Sequence, residues 1–96
     1  MDFDNLVHQS TRLKILSHLY SKGESAFVEM KEELELTEGN LANHLRKLED
    51  AEYVKMEKKF ENRKPKTTYR LTEEGKEALE EHIHKLENMI DMMGRE

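Results

Sequence analysis

Hydrophobic positions recur along this chain with two periods, and the switch between them separates helical from extended stretches. From Thr37 to Ala51 (TEGNLANHLRKLEDA), Leu41, Leu45 and Leu48 stand at i, i+4 and i+7, one apolar stripe of an amphipathic helix. Gly39, Asn40, Asn43, Arg46 and Lys47 take the opposite side. Thr37 is placed to act as N-cap, and Glu38 follows where the positive end of the helix dipole favours an acid. Upstream, Asp2 to His8 predicts a short helix exposing Phe3, Leu6 and Val7 on one side, too short to hold without docking. Ser10 is the expected N-cap of a helix running to about Ser21. Its buried stripe is Leu13, Leu16, Leu19 and Tyr20, with Ile15 flanking and Gly23 as the stop. Ser25-Ala26-Phe27 leaves room only for a stub of strand. Phe27, Met30 and Leu34, spaced three and four apart, predict a second short helix over Val28 to Glu35 that ends just before Thr37. Two short helices in tandem, the second with a polar outer face, form a helix-turn-helix. Its turn at Glu35-Leu36 lacks the usual glycine.

After Ala51 the period drops to two. In Tyr53 to Phe60, Val54, Met56 and Phe60 share one face with Lys58 at its outer end, and Lys55, Glu57 and Lys59 share the other. Tyr69 and Leu71 supply the matching apolar face in Thr67 to Thr72. The polar connection Glu61 to Lys66 contains Pro65, which suits a loop or an edge. The pair is a β-hairpin with a basic tip, placed where a wing follows a helix-turn-helix. Thr72-Glu73-Glu74 then opens the longest helix, where Leu79, Ile83, Leu86, Ile90 and Met93 step 4, 3, 4, 3. About 20 helical residues extend about 30 Å, too far for so small a domain to cover. Each such side chain gains about 1.5–3 kcal/mol from burial. The expected answer is a homodimer built on this seam, with Phe3, Leu6 and Val7 packed nearby; the alternative is a helix folded back on its own domain. The fold class expected is α+β, mainly α: a winged helix-turn-helix (1–72) with a C-terminal dimerisation helix (73–96), together one compact unit.

Composition sharpens this picture. Ninety-six residues make one domain. The absence of cysteine rules out disulfides and thiolate metal sites. No apolar run approaches the roughly 18 residues of a membrane span, and the Met1 end has no signal-peptide core, so a cytoplasmic protein with no membrane partner is expected. The net charge of −5 is unevenly spread. Residues 1–39 carry −4, residues 40–70 carry +4 and residues 71–96 carry −5, so the acidic flanks confine any contact with phosphate to the middle third. There the residue types suit double-stranded DNA: Asn pairs with adenine edges, and Arg and Lys with guanine edges or phosphate. Thr37, Gly39, Asn40, Asn43, Arg46 and Lys47 form the candidate reading helix. Lys58, Lys64 and Lys66 are candidate phosphate contacts, and Arg63 a candidate for the minor groove.

From Arg12 to Leu86 the chain resembles the small stand-alone winged-helix transcriptional regulators of the MarR/ArsR-like superfamily. The matching pieces are RLKILSHL, FVEMKEELELTEGNLANHLRKLEDAEYV and KKFENRKPKTTYRLTEEGKEAL. The resemblance implies a dimer whose TEGNLANHLRKLE helices enter successive major grooves while the KFENRKPK wings reach along the backbone. The chain departs from the family at Glu52, where glycine is usual. If that position takes a positive φ, Glu52 costs about 1 kcal/mol.

Catalysis has little to stand on. There is no G-x-S-x-G, no phosphate-binding glycine loop and no H-E-x-x-H. Among His44, His82 and His84, His44 lies at the edge of the leucine stripe, where a partly buried, hydrogen-bonded role is expected. No cofactor is expected. Metal candidates are weak: His84 and Glu87 are i, i+3 neighbours, with Glu81 and His8 as further donors across a dimer. A metal-responsive, ArsR-like sensor without thiolates is one alternative reading, and a winged-helix module for RNA or a protein partner is another.

Overall fold

The structure, a computed structural model, describes residues 5–94; Phe3 and the start of the first expected helix lie outside them. The order is α1 (Asn5–His8), α2 (Ser10–Lys22), β1 (Glu24–Ala26), α3 (Phe27–Glu33), α4 (Glu38–Asp50), β2 (Val54–Glu61), β3 (Lys64–Leu71) and α5 (Glu73–Met92). The protein is mainly helical, with one small antiparallel sheet of order β1-β3-β2.

The cap of α2 sits one residue earlier than the sequence suggests. Gln9, not Ser10, is the N-cap, its side-chain oxygen accepting from the Arg12 N–H at 2.9 Å. The buried stripe of α2 is Ile15, Leu16 and Leu19, with Leu13 half-buried. Tyr20 is not part of it. It lies at the surface, where its hydroxyl donates to Glu80 at 2.7 Å.

The two helices of the helix-turn-helix close in the same way. After α3, Leu36 N–H reaches back to Lys31 O (3.0 Å) and Glu35 N–H to Glu32 O (3.3 Å). After α4, Tyr53 N–H bonds Leu48 O and Glu52 N–H bonds Glu49 O, both at 2.9 Å. These are paired Schellman bonds, and they need a left-handed residue at the position after the C-cap. Glutamate fills both, Glu35 at φ 53° and Glu52 at φ 63°. The condition attached to Glu52 is therefore met, and the missing turn glycine is explained by Glu35 taking its conformation. Thr37 caps α4 through its hydroxyl, which accepts from Asn40 N–H at 3.1 Å.

One core joins every layer. It comprises Val7 from α1, Ile15, Leu16 and Leu19 from α2, Met30 from α3, the three α4 leucines, Val54, Tyr69 and Leu71 from the sheet, and Leu79 from α5. Val7 and Leu79, which the sequence pattern assigned to a dimer interface, are buried here within the chain's own core. A short α1 can be held only by such docking, and the first half of α5 lies against α1 and α2.

The hairpin is longer and its turn tighter than expected. β2 and β3 pair from Val54↔Leu71 out to Glu61↔Lys64, leaving only Asn62 and Arg63 in the turn, at φ 51° and 62°. Two consecutive positive φ values are the signature of the type I′ turn, whose twist matches that of the strands. Pro65 therefore lies in β3 and not in a loop. It faces Phe60, one pair beyond the one that closes the turn, where the alternating antiparallel ladder asks for no N–H. β1 covers β3 only at Thr68–Arg70, so at Pro65 that flank of the strand is an open edge. Of the expected apolar face of β2 only Val54 is buried; Met56 and Phe60 are exposed, because the hairpin runs out past the body.

Reading helix, wing and α5 meet at one carbonyl. Tyr53 O accepts from Thr72 N–H at 3.0 Å, and Thr72 Oγ1 donates to Glu52 O at 2.6 Å while accepting from Gly75 N–H at 3.0 Å. Gly75 lies directly on this junction: a Cβ there would stand 2.1 Å from Tyr53 O, against rigid backbone. Gly75→Ala should therefore destabilise the fold by about 3 kcal/mol, at the upper end for overpacking, read as a lowered urea midpoint. Glu52→Gly should move that midpoint the other way, by about 1 kcal/mol, through relief of the left-handed residue.

Candidate nucleic-acid interface

The leucine stripe of α4 fixes which way the helix faces. With Leu41, Leu45 and Leu48 fully inside, Gly39, Asn40, Asn43, Arg46 and Lys47 are all exposed along one side. Among the described residues no carboxylate pairs with Arg46 or Lys47, so the donors of this face are uncommitted. At Gly39 an added Cβ would meet nothing within 4 Å. The fold does not need a glycine there, although glycine in a helix costs about 1 kcal/mol relative to alanine.

Arg12 fixes how α4 sits on the body. Its Nε donates to Leu6 O at 2.7 Å, tying α1, and its Nη1 reaches His44 Nδ1 at 3.2 Å, tying α4. Next to a guanidinium that cannot lose its proton, His44 Nδ1 acts as acceptor. His44 is thus half-buried and hydrogen-bonded as expected. Burial, followed by the charges of Arg12 and Lys47, holds its pKa below the ordinary 6.5. Sequence reading missed Arg12, since nothing in the local pattern links positions 32 residues apart.

On the wing, the two faces differ in how their cations are used. Lys59 is committed to Glu24 at 2.6 Å, and Lys66 pairs with Glu61 at 3.5 Å. The Lys59–Glu24 contact holds Lys59 above and Glu24 below their ordinary pKa values. Lys58, Arg63 and Lys64 are exposed, and among the described residues none of them has a carboxylate partner. The register sets Lys58 opposite Thr67 and Lys64 opposite Glu61, on different faces, with Arg63 in the turn. The expected group of four wing cations is therefore three free and one paired.

A Ser–His–Glu arrangement at the base of β1 resembles a catalytic set only in outline. His18 Nε2 stands 2.9 Å from Ser25 Oγ, and His18 Nδ1 is 3.5 Å from Glu33. Ser25 is 2% exposed, however, and donates its hydroxyl to Glu29 at 2.5 Å. That bond takes the proton a nucleophile must release to a base. The cluster clamps α2, β1 and α3 together. His84 and Glu87 are exposed on α5, and the His8 ring stands edge-on to His82, with centroids 5.3 Å apart. Among the described residues no group of three or more His, Asp or Glu could hold a metal ion, and no helix is long and apolar enough to cross a membrane.

A helix-turn-helix with an open polar face, followed by a cationic two-stranded wing, defines a protein of the winged-helix class. The model of the family described as winged helix DNA-binding domain matches residues 11–90, and the chain belongs to that family, with the fold of MarR-like regulators. It is similar to an uncharacterised protein of Methanocaldococcus jannaschii, 37% identical over 75 residues covering 78% of this chain and 82% of that one. Among solved structures it resembles a transcriptional regulator homologue from Pyrococcus horikoshii OT3, with TM-score 0.90, 29% identity, and coverage of 96% of this chain and 91% of that one. A MarR-family regulator from Enterococcus faecalis V583 matches with TM-score 0.75 and 25% identity, over 92% of this chain and 78% of the other.

The lowered pKa of His44, due to burial first and then to the charges of Arg12 and Lys47, makes stability depend on pH with a definite sign. Because the folded pKa lies below the unfolded value of 6.5, the unfolded chain takes up the proton first. The stabilisation is complete above 6.5 and declines as pH falls through the folded pKa. Urea midpoints should accordingly fall on acidification, and His44→Gln should flatten that dependence as the pH drops below 6.5.

Proposed function

We propose that the protein acts as a homodimer on a near-palindromic site in double-stranded DNA and regulates transcription by occupying it. The observation that carries the reading is the open, unpaired donor face of α4 beside the free wing cations, within a chain whose net charge is −5. In this reading Asn40, Asn43, Arg46 and Lys47 meet base edges in the major groove. Gly39 and the capped start of α4 at Thr37 come close to the phosphate backbone. Lys58, Lys64 and Lys66 hold phosphates, and Arg63 enters the minor groove. Lys66 would first exchange Glu61 for phosphate, so it contributes least of the three.

Support for the dimer comes from α5. Its buried residues, Gly75, Leu79 and His82, all lie in its first half. Beyond them Ile83, Ile90 and Met93 are exposed, Leu86 is half-buried, and Met89 and Met92 widen the ridge. The molecule measures 56 × 25 × 21 Å, long enough for a 20-residue helix of about 30 Å to project beyond the body. A self-complementary ridge of this kind fits a second copy related by a two-fold axis, with half-sites about one helical turn of DNA apart.

Selection of bound duplexes from a random pool tests the reading, and recovery of a palindrome is the expected result; no enrichment would overturn it. On the recovered site, Arg46→Ala should cost about 1–3 kcal/mol and relax preference at one base position. An equal loss on every sequence would remove Arg46 from the base readers. Lys64→Ala should weaken all sequences alike and reduce the salt slope by about one. For the dimer, Ile83→Glu should sediment as a folded monomer, and persistence of the dimer would discard the α5 seam.

A further inference from the structure

Phe60 is 76% exposed, yet it lies in a regular strand with a fixed partner. It stands directly opposite Pro65, so the two rings share one face of the hairpin, next to the Asn62–Arg63 turn. Toward the body the same face carries Lys58 opposite Thr67, and then Met56 opposite Tyr69, where the core begins. A polar pair therefore separates Phe60 and Pro65 from the core, and folding gains nothing from them. Such a pair of rings is a liability unless something covers it. Its surroundings restrict what that is. Lys58, one pair inward on the same face, and Arg63, at the turn, have no carboxylate partner among the described residues; on the opposite face Lys59 and Lys66 are neutralised by Glu24 and Glu61, while Lys64 is unpaired. The rings are thus bordered by unpaired positive charge, at Lys58 and at Arg63. Two rings supply far less than the roughly 800 Å² per side of a stable protein interface. They are enough as an accessory contact where α4 already provides the attachment.

We propose that Phe60 and Pro65 form an apolar plate that lies against the deoxyribose walls of the minor groove, with Arg63 in the groove beside it and Lys58 on the bordering phosphates. The proposal rests on the DNA reading above and adds a contact without charge or base specificity. The sugar faces of a duplex are apolar and bordered by phosphates, which is the pattern this face complements. Apolar side chains of this type do enter or line the minor groove in architectural proteins.

The test uses the full chain and a duplex recovered by selection, with affinity measured over a series of salt concentrations and hydroxyl-radical cleavage reporting which sugars are covered. Phe60→Ser should weaken binding about tenfold to a hundredfold, the scale of returning one aromatic side chain to water. The salt slope should stay unchanged, because no counterion-releasing contact is lost. Protection should vanish at the sugars flanking the major-groove contacts and remain elsewhere, and Phe60→Tyr should restore it. Thermal stability should be unaltered, since the side chain is outside the core. Wild-type affinity and an intact footprint for Phe60→Ser would overturn the proposal and leave a protein partner as the reading of the plate. Failure of the wild-type chain to retain any duplex is a different result, which sinks the DNA reading itself.

Discussion

The arrangement of this molecule depends on the backbone carbonyl of Tyr53. It accepts the Thr72 N–H, and Gly75 packs against it closely enough that no side chain fits between them. The residues just before it close α4 and those just after it begin the wing, while Thr72 and Gly75 open α5. One bond and one close approach therefore set the angle between α4, the hairpin beside it and the long helix. Thr72 adds a second tie by donating to Glu52 O while capping its own helix. In a symmetric pair joined through α5, the spacing of the two reading helices would follow from this junction, repeated once in each copy.

Charge is arranged to the same end. The positive middle third is flanked by acidic thirds, and Glu24, Glu61, Glu73 and Glu81 are spent locally, on Lys59, Lys66, Lys76 and Lys85. These exposed pairs contribute little stability individually. Their effect is to decide which cations remain free. Arg46, Lys47, Lys58, Arg63 and Lys64 are left over, on the reading helix and the wing, so an acidic protein still offers a cationic strip to a polyanion.

Much of the fold was legible in the sequence. The 3.6-residue stripe of α4, the threonine caps at Thr37 and Thr72 and the change to a period of two after Ala51 all depend on neighbours in the chain, and all appear as read. What was misread depended on where an element ends relative to the body. Met56 and Phe60 alternate correctly, but a strand that leaves the core buries nothing. Val7 and Leu79 fit an interface by pattern, yet α1 and the first half of α5 lie over the core and take them inward. Tyr20 falls just off the stripe centred on Ile15, Leu16 and Leu19, and Pro65 is tolerated in a strand because its register and open flank spare its nitrogen. For the site, the exposed face of α4 follows directly from its leucines. The division of the wing lysines into paired and free, and the Arg12 tie to His44, depend on contacts between distant positions that no local pattern records.

The left-handed residues carry a consequence of their own. Among the described residues four non-glycine positions have positive φ: Glu35, Glu52, Asn62 and Arg63. Two of them bracket α4 and two make up the wing tip, so all four lie at the margins of the two elements that carry the unpaired donors. Glu35, Glu52 and Arg63 each hold about 1 kcal/mol that a glycine would not, whereas asparagine takes this conformation at little cost. The open donor face of α4 and the tip of the wing are therefore held in place by the backbone geometry that is hardest to adopt, and the capping and turn bonds beside them are what enforce it.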